Sequence, residues 1–375
     1  MHGYLERQVL LQRSALRWAG TQLRGKNGDH EPTARRLAEL VREAETTLTR
    51  VEAVARDGDP RLARRAILSL ASVEYTIHTL SARYLPGLNR ESAEDRQLSR
   101  VLLSAARDCG LDWLEDITVR LDSEWASIPD IPEIPLIYAP ALQPFTLVGI
   151  PILFHEIGHV FFQRNPHLLQ AFRSEIKALH RAALPAAGPL SPTATDARAR
   201  ELRSAYDYWS EERLNEIFSD VFATYILGPS YYATCVDTAV RSGLDPFLID
   251  ADVHPPWAVR VKACRYVMEL LSAHPPWEAK VERTWQDYLP GGGVRLAYSR
   301  ACDDRLIVAL TEAAVHSLDR TSPPVARYDA NRPRGEGLGQ TLIRELNEGV
   351  QRLIDEPDRF KTWEADSLQR LMRPA

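Results

Sequence analysis

Through most of this chain apolar residues recur every three or four positions with charged residues between them, and that spacing predicts helices. Ile67, Leu68, Leu70, Val73 and Ile77 follow Pro60. Proline suits the first turn of a helix, where a missing N–H costs nothing. Ser92-Ala93-Glu94-Asp95 reads as a helix start with acidic residues in the first turn, and Gly110 as the stop. Four or five helices are expected in residues 1–125. From Ile128 the pattern breaks: IPDIPEIPLIYAPALQP carries too many prolines for a helix. Leu136-Ile137-Tyr138 is expected as a short edge strand, where prolines are tolerated. A helix through Leu153–Phe162 should end near Asn165-Pro166, and a loop of small and polar residues runs from Ala183 to Thr195. Helical pattern returns at Ala199 and continues past Tyr225. The last hundred residues hold helices separated by Pro290–Gly293 and by Ser322–Gly337. The expected fold class is mainly α with a small edge-strand region. It divides into an N-terminal helical region (1–125), a core (126–275) and a C-terminal helical region (276–375).

Composition narrows the function classes. The 375 residues are 45% hydrophobic, enough for a sizeable core, and the formal net charge is -5. No basic stripe suggests nucleic acid as a partner. Charges interrupt every apolar run of the N-terminus, so no signal peptide is expected. No run approaches the roughly 20 apolar residues of a membrane span. The expectation is no membrane partner and a cytoplasmic location. Cys109, Cys235, Cys264 and Cys302 are scattered without a CxxC pair and read as reduced core thiols. Scarce lysine beside arginine, with abundant alanine, suits a GC-rich bacterial gene.

Two histidines and a glutamate interrupt the apolar stretch LFHEIGHVFF, residues 153–162. His155 and His159 lie four apart, so on a helix they project from one face and can hold one zinc ion. Glu156 is placed to reach a water at that metal as general base, the HExxH arrangement. The apolar surroundings fix the helix and keep the site dry. Gly158 costs about 1 kcal/mol of helix propensity against alanine, which points to close packing.

A catalytic zinc needs a third protein ligand and an open position. One class of such sites places a histidine six residues after the second; here Asn165 stands there, with Phe162 at that class's glycine. A later helix, WSEERLNEIFSDVFATY, carries Glu216 and Asp220 four apart on one face, amid Ile217, Phe218, Val221 and Phe222. Two buried carboxylates so placed repel unless a cation or donor compensates. Zinc at Glu216, and a ligand imidazole N–H at Asp220, would do so.

HEIGH, followed 57 residues after its second histidine by the glutamate of Asn-Glu-Ile-Phe-Ser-Asp, resembles the gluzincin zinc metallopeptidases. The resemblance covers roughly residues 145 to 265 and implies a zincin-like core. It implies one zinc per chain held by His155, His159 and Glu216, with Glu156 as base and Asp220 hydrogen-bonded to the first histidine. His254-Pro-Pro-Trp-Ala-Val-Arg260 is similar to the His-Pro…Arg motif of Ste24/HtpX-like peptidases, which are typically membrane proteins. His254 would then be catalytic. Tyr225, Tyr231 and Arg260 are candidates for oxyanion or substrate contacts. HPPW recurs at His274–Trp277, but six residues after His274 stands Lys280, without the planar fork of arginine.

The expected function is hydrolysis of peptide or protein substrates by a soluble zinc metallopeptidase, with an extended substrate pairing to the edge strand. Regulation of a latent enzyme by a protein or ligand is one variant. The alternative is a non-enzymatic helical interaction protein with a structural zinc.

Overall fold

The computed structural model describes residues 2–24, 31–57, 60–89, 93–114, 117–123, 136–140, 147–183, 207–249, 253–290, 296–330 and 337–371. The chain is mainly helical. It forms two compact units, residues 1–103 with 113–140 and residues 104–112 with 141–375. The proline-rich residues 128–135, the loop at 184–195, the expected helical stretch 199–206 and the breaks at 291–293 and 331–336 lie outside the described residues.

In the first unit, α1 (His2–Leu23), α2 (Glu31–Asp57) and α3 (Pro60–Thr79) pack on one another. Leu37, Val41, Ala44, Leu48, Val51 and Ala55 of α2 alternate steps of four and three, which puts them on one stripe facing Leu5, Val9 and Leu16 of α1 and Leu70 and Val73 of α3. Ile67 and Leu68 belong to α3 as their spacing implies, but their side chains are exposed: the core stripe runs through Ala66, Leu70 and Val73 instead. A π-helical turn, Leu80–Tyr84, leads into α4 (Leu85–Asn89), and α5 covers Ala93–Asp108. The unit also holds β1 (Thr118–Ser123) and β2 (Leu136–Pro140), paired in parallel with Thr118 opposite Leu136. No strand was expected at β1, whose TVRLDS carries only two apolar residues.

The second unit is built round two helices, α6 (Pro151–Arg164) and, after α7 (Pro166–Ala183), α8 (Glu211–Leu227). Both are buried on nearly every side, as expected of helices that are apolar all round. α8 does not continue an earlier helix through Trp209: the chain breaks there, and Ser210 caps α8 by accepting from the Arg213 N–H. Phe161 and Phe162 of α6 meet Phe218 and Phe222 of α8 at ring separations of 5.4 to 5.7 Å. At Gly158 the helices come so close that an added Cβ would lie 2.8 Å from Ser219 Cα. α8 ends at Gly228, whose positive φ and missing side chain admit the ring of Tyr328.

The helices α9 (Pro229–Ser242), α10 (Trp257–Leu270) and α13 (Asp304–Asp319) pack round this pair; α11 (Glu278–Tyr288) and α12 (Leu296–Ala301) lie between the last two in sequence. The region 276–375 is therefore not a body of its own. Its last helices, α14 (Leu338–Asp355) and α15 (Pro357–Leu371), also join this unit, and Glu364 accepts the Leu147 N–H at 2.9 Å in the turn leading to α6. Cys109, Cys235, Cys264 and Cys302 are all buried free thiols. Among the described residues no helix is long and apolar enough to cross a membrane.

Gly158→Ala should cost about 1–3 kcal/mol, because the colliding atom belongs to the backbone of α8 and cannot swing aside. Thermal unfolding checks this; an unchanged Tm would mean the two helices have slack between them.

Candidate metal centre

His155 and His159 lie one turn apart on α6, and their rings stand edge to face with centroids 4.6 Å apart. Glu216 on α8 reaches across to both. Its Oε2 lies 3.4 Å from His155 Nε2 and its Oε1 lies 3.4 Å from His159 Nε2. A charge-assisted N–H···O bond would close to about 2.8 Å. Two ligand atoms about 2.0–2.1 Å from one tetrahedral zinc stand roughly 3.3–3.5 Å apart. The three side chains thus hold the spacing of ligands rather than of hydrogen-bonded partners. Glu216 Oε2 is buried and has no hydrogen-bond donor. Glu156 also offers an oxygen within 4.8 Å of both imidazoles. Of the two carboxylates, Glu216 is the one facing each Nε2 at ligand spacing, which leaves Glu156 beside the centre. The donor set, two imidazoles and a carboxylate, fits zinc.

Behind His155 lies a fully buried network centred on Asp220. Asp220 Oδ1 is 3.0 Å from His155 Nδ1 and accepts from Tyr231 Oη at 2.6 Å and from Arg260 Nη2 at 2.8 Å; Oδ2 accepts from Arg260 Nε at 2.7 Å. Tyr231 Oη is also 3.0 Å from His155 Nδ1. The Arg260 guanidinium lies over the Trp257 ring, and its Nη1 stands 3.4 Å from Glu216 Oε2. Behind His159, Ser219 Oγ lies 3.0 Å from Nδ1 and donates to Asn215 Oδ1 at 3.4 Å.

Burial shapes the protonation of these groups. It pushes the Asp220 carboxyl up, but the Arg260 guanidinium outweighs it and holds the group well below the usual carboxylate range. It does the same at Glu216, where His159 and Arg260 win. It pulls the His155 imidazole down, but Asp220 and Glu216 together raise it to about 10. Burial raises the Glu156 carboxyl, against the opposing pull of the two imidazoles. Two carboxylates, Asp220 and Glu216, face the one guanidinium of Arg260.

The structure brings His155, Glu156, His159, Glu216 and Asp220 together. It also places His254 there, with Nε2 3.6 Å from Glu216 Oε1 and the side chain about half exposed. Three candidate substrate contacts engage other partners. Tyr225 donates its hydroxyl to Asp319 at 2.6 Å. Tyr231 is buried behind His155 and donates its hydroxyl to Asp220. Arg260 is buried and engages Asp220 and Glu216, not a substrate. The second HPPW lies elsewhere: His274 pairs with Glu278 and Lys280 with Asp355. Ser219 and Asn215 went unremarked in the sequence, although both lie in the quoted NEIFSD stretch; a hydroxyl three residues after the candidate ligand on a buried helix was the available signal.

No protein-family model, no curated protein and no solved structure matches the chain. The functional reading therefore rests on these side chains alone.

A competition titration with a chelator should give one zinc per chain, lost in Glu216→Ala and kept in Glu211→Ala. Since binding must displace the His155 proton, apparent affinity should rise with pH, by up to about tenfold per unit below about 10. The same proton stabilises the metal-free fold below its ordinary value of 6.5, and that contribution is lost as the pH climbs through about 10. A pH-independent affinity would contradict the assignment of His155.

Proposed function

We propose that this protein is a zinc-dependent peptidase with a gluzincin-like core, hydrolysing peptide bonds. The observation that carries the reading is the position of Glu216 at 3.4 Å from both Nε2 atoms, with Glu156 next to them and not needed as a ligand.

When bound, zinc would supply Lewis-acid polarisation of a carbonyl and lower the pKa of water toward 7. His155, His159 and Glu216 would hold it. Glu156, raised by burial, is suited to take a proton from the attacking water and return it to the leaving amine. His254 is the half-exposed donor at the rim and would meet the charge developing on the carbonyl oxygen. Asp220, Arg260 and Tyr231 do no chemistry; they hold His155 in place. Apolar neighbours such as Leu153, Phe154 and Phe222 exclude water and strengthen each electrostatic contact.

A structural zinc in a non-enzymatic helical protein would need the three ligands but not Glu156. Glu156→Gln separates the two: zinc should stay bound while hydrolysis of a mixed peptide library falls at least 10²–10⁴-fold, about the usual worth of a general base. Wild-type cleavage by the variant, with contaminating protease excluded, would remove the hydrolase reading.

A further inference from the structure

The two imidazoles are backed by different chemistry. His155 faces a carboxylate held by Arg260 and Tyr231. Among the described residues, the Nδ1 side of His159 faces a hydroxyl instead, Ser219 Oγ at 3.0 Å. A serine hydroxyl has one hydrogen to give and two lone pairs to accept with. Asn215 Oδ1, an atom that can only accept, lies 3.4 Å from Oγ and offers that hydrogen a place. The oxygen is then free to accept from His159 Nδ1 at 3.0 Å. Ser219 itself is fully buried, so its hydroxyl must find its partners within the protein.

We propose that Ser219 is the positioning residue of His159, the middle of a relay His159 Nδ1–H···Oγ Ser219–H···Oδ1 Asn215 that fixes the imidazole in the tautomer with its free lone pair on Nε2. A neutral imidazole carries one hydrogen, and which nitrogen bears it is set by the partner of the other. With the hydrogen on Nε2, His159 would point a donor at Glu216 and could not bind a cation. The relay turns the lone pair toward Glu216 Oε1, 3.4 Å away. One helix thereby serves both ligands: α8 sends Asp220 behind His155 and the Asn215–Ser219 pair behind His159. The close approach at Gly158 brings Ser219 within reach, since the backbone of α6 passes over Ser219 with no side chain between. The relay is neutral throughout, so it orients His159 without the added basicity that a carboxylate gives His155.

The effect on metal rests on the zinc reading above, but the tautomer does not, and the test separates them. Full-length protein stripped of metal and labelled with ¹⁵N-histidine is studied by long-range ¹H–¹⁵N NMR under alkaline conditions, with His159 assigned by loss of its signals in His159→Gln. Wild type should show the hydrogen on Nδ1. Ser219→Ala should shift the ring toward the Nε2–H form. Its zinc affinity, read by chelator competition, should fall by about 10–100-fold. Asn215→Ala, which leaves the Gly158–Ser219 contact intact and carries the test if Ser219→Ala fails to fold, should produce a smaller shift in the same direction. Asn215→Asp, with a stronger acceptor at the end of the relay, should hold the Nδ1–H form and bind zinc at least as tightly as wild type. Retention of the Nδ1–H form in both Ser219→Ala and Asn215→Ala would overturn the proposal. A wild type that binds no zinc yet shows the Ser219-dependent tautomer would sink the zinc reading and leave the relay standing.

Discussion

Asp220 carries a carboxylate with no exposure to solvent, and a charge so placed would cost several kcal/mol if left alone. Three hydrogens converge on it, two from Arg260 and one from Tyr231, and His155 Nδ1 stands 3.0 Å away. These come from three helices, so one buried anion ties α6, α9 and α10 to α8. Removing either member of the buried Asp220–Arg260 pair would strand a charge, a loss of about 3–5 kcal/mol. The cost of burying Asp220 is also what makes it informative. A packing role alone would be served as well by an apolar residue, whereas a carboxylate can orient an imidazole.

The apolar wall and the polar centre depend on each other. Phe161, Phe162, Phe218 and Phe222 clamp α6 to α8, and Gly158 lets the two backbones meet. That separation sets the distance from Glu216 to the imidazoles. A shift of a few tenths of an ångström would convert ligand spacing into hydrogen-bond spacing. On the proposed reading, rigid packing here would be part of the chemistry, as a preorganised set of donors requires.

Where spacing alone decides, sequence reasoning named side chains that the structure brings together. His155, Glu156 and His159 follow from a five-residue pattern on one helix, and Glu216 with Asp220 from a second helix of the same kind. It failed where a side chain's role depends on which way it faces in three dimensions. Tyr225 and Tyr231 look alike in the chain; one bonds Asp319 and the other Asp220. Arg260 was tied to His254 by the His-Pro…Arg spacing, yet its fork turns inward to Asp220 while His254 stays at the rim. The same holds for the fold. Helices α3 and α10 begin where Pro60 and HPPW place them and α6 ends at the expected Asn165-Pro166, but the break at Trp209-Ser210 and the pairing of β1 with β2 depend on contacts that local pattern does not encode.

X-ray absorption at the zinc edge on the purified protein tests the central claim most directly. The account predicts a shell of two imidazole nitrogens and carboxylate oxygen at about 2.0–2.2 Å, with a further oxygen from water and no sulfur. A spectrum showing thiolate scattering near 2.3 Å, or protein that takes up no zinc at all, would contradict it.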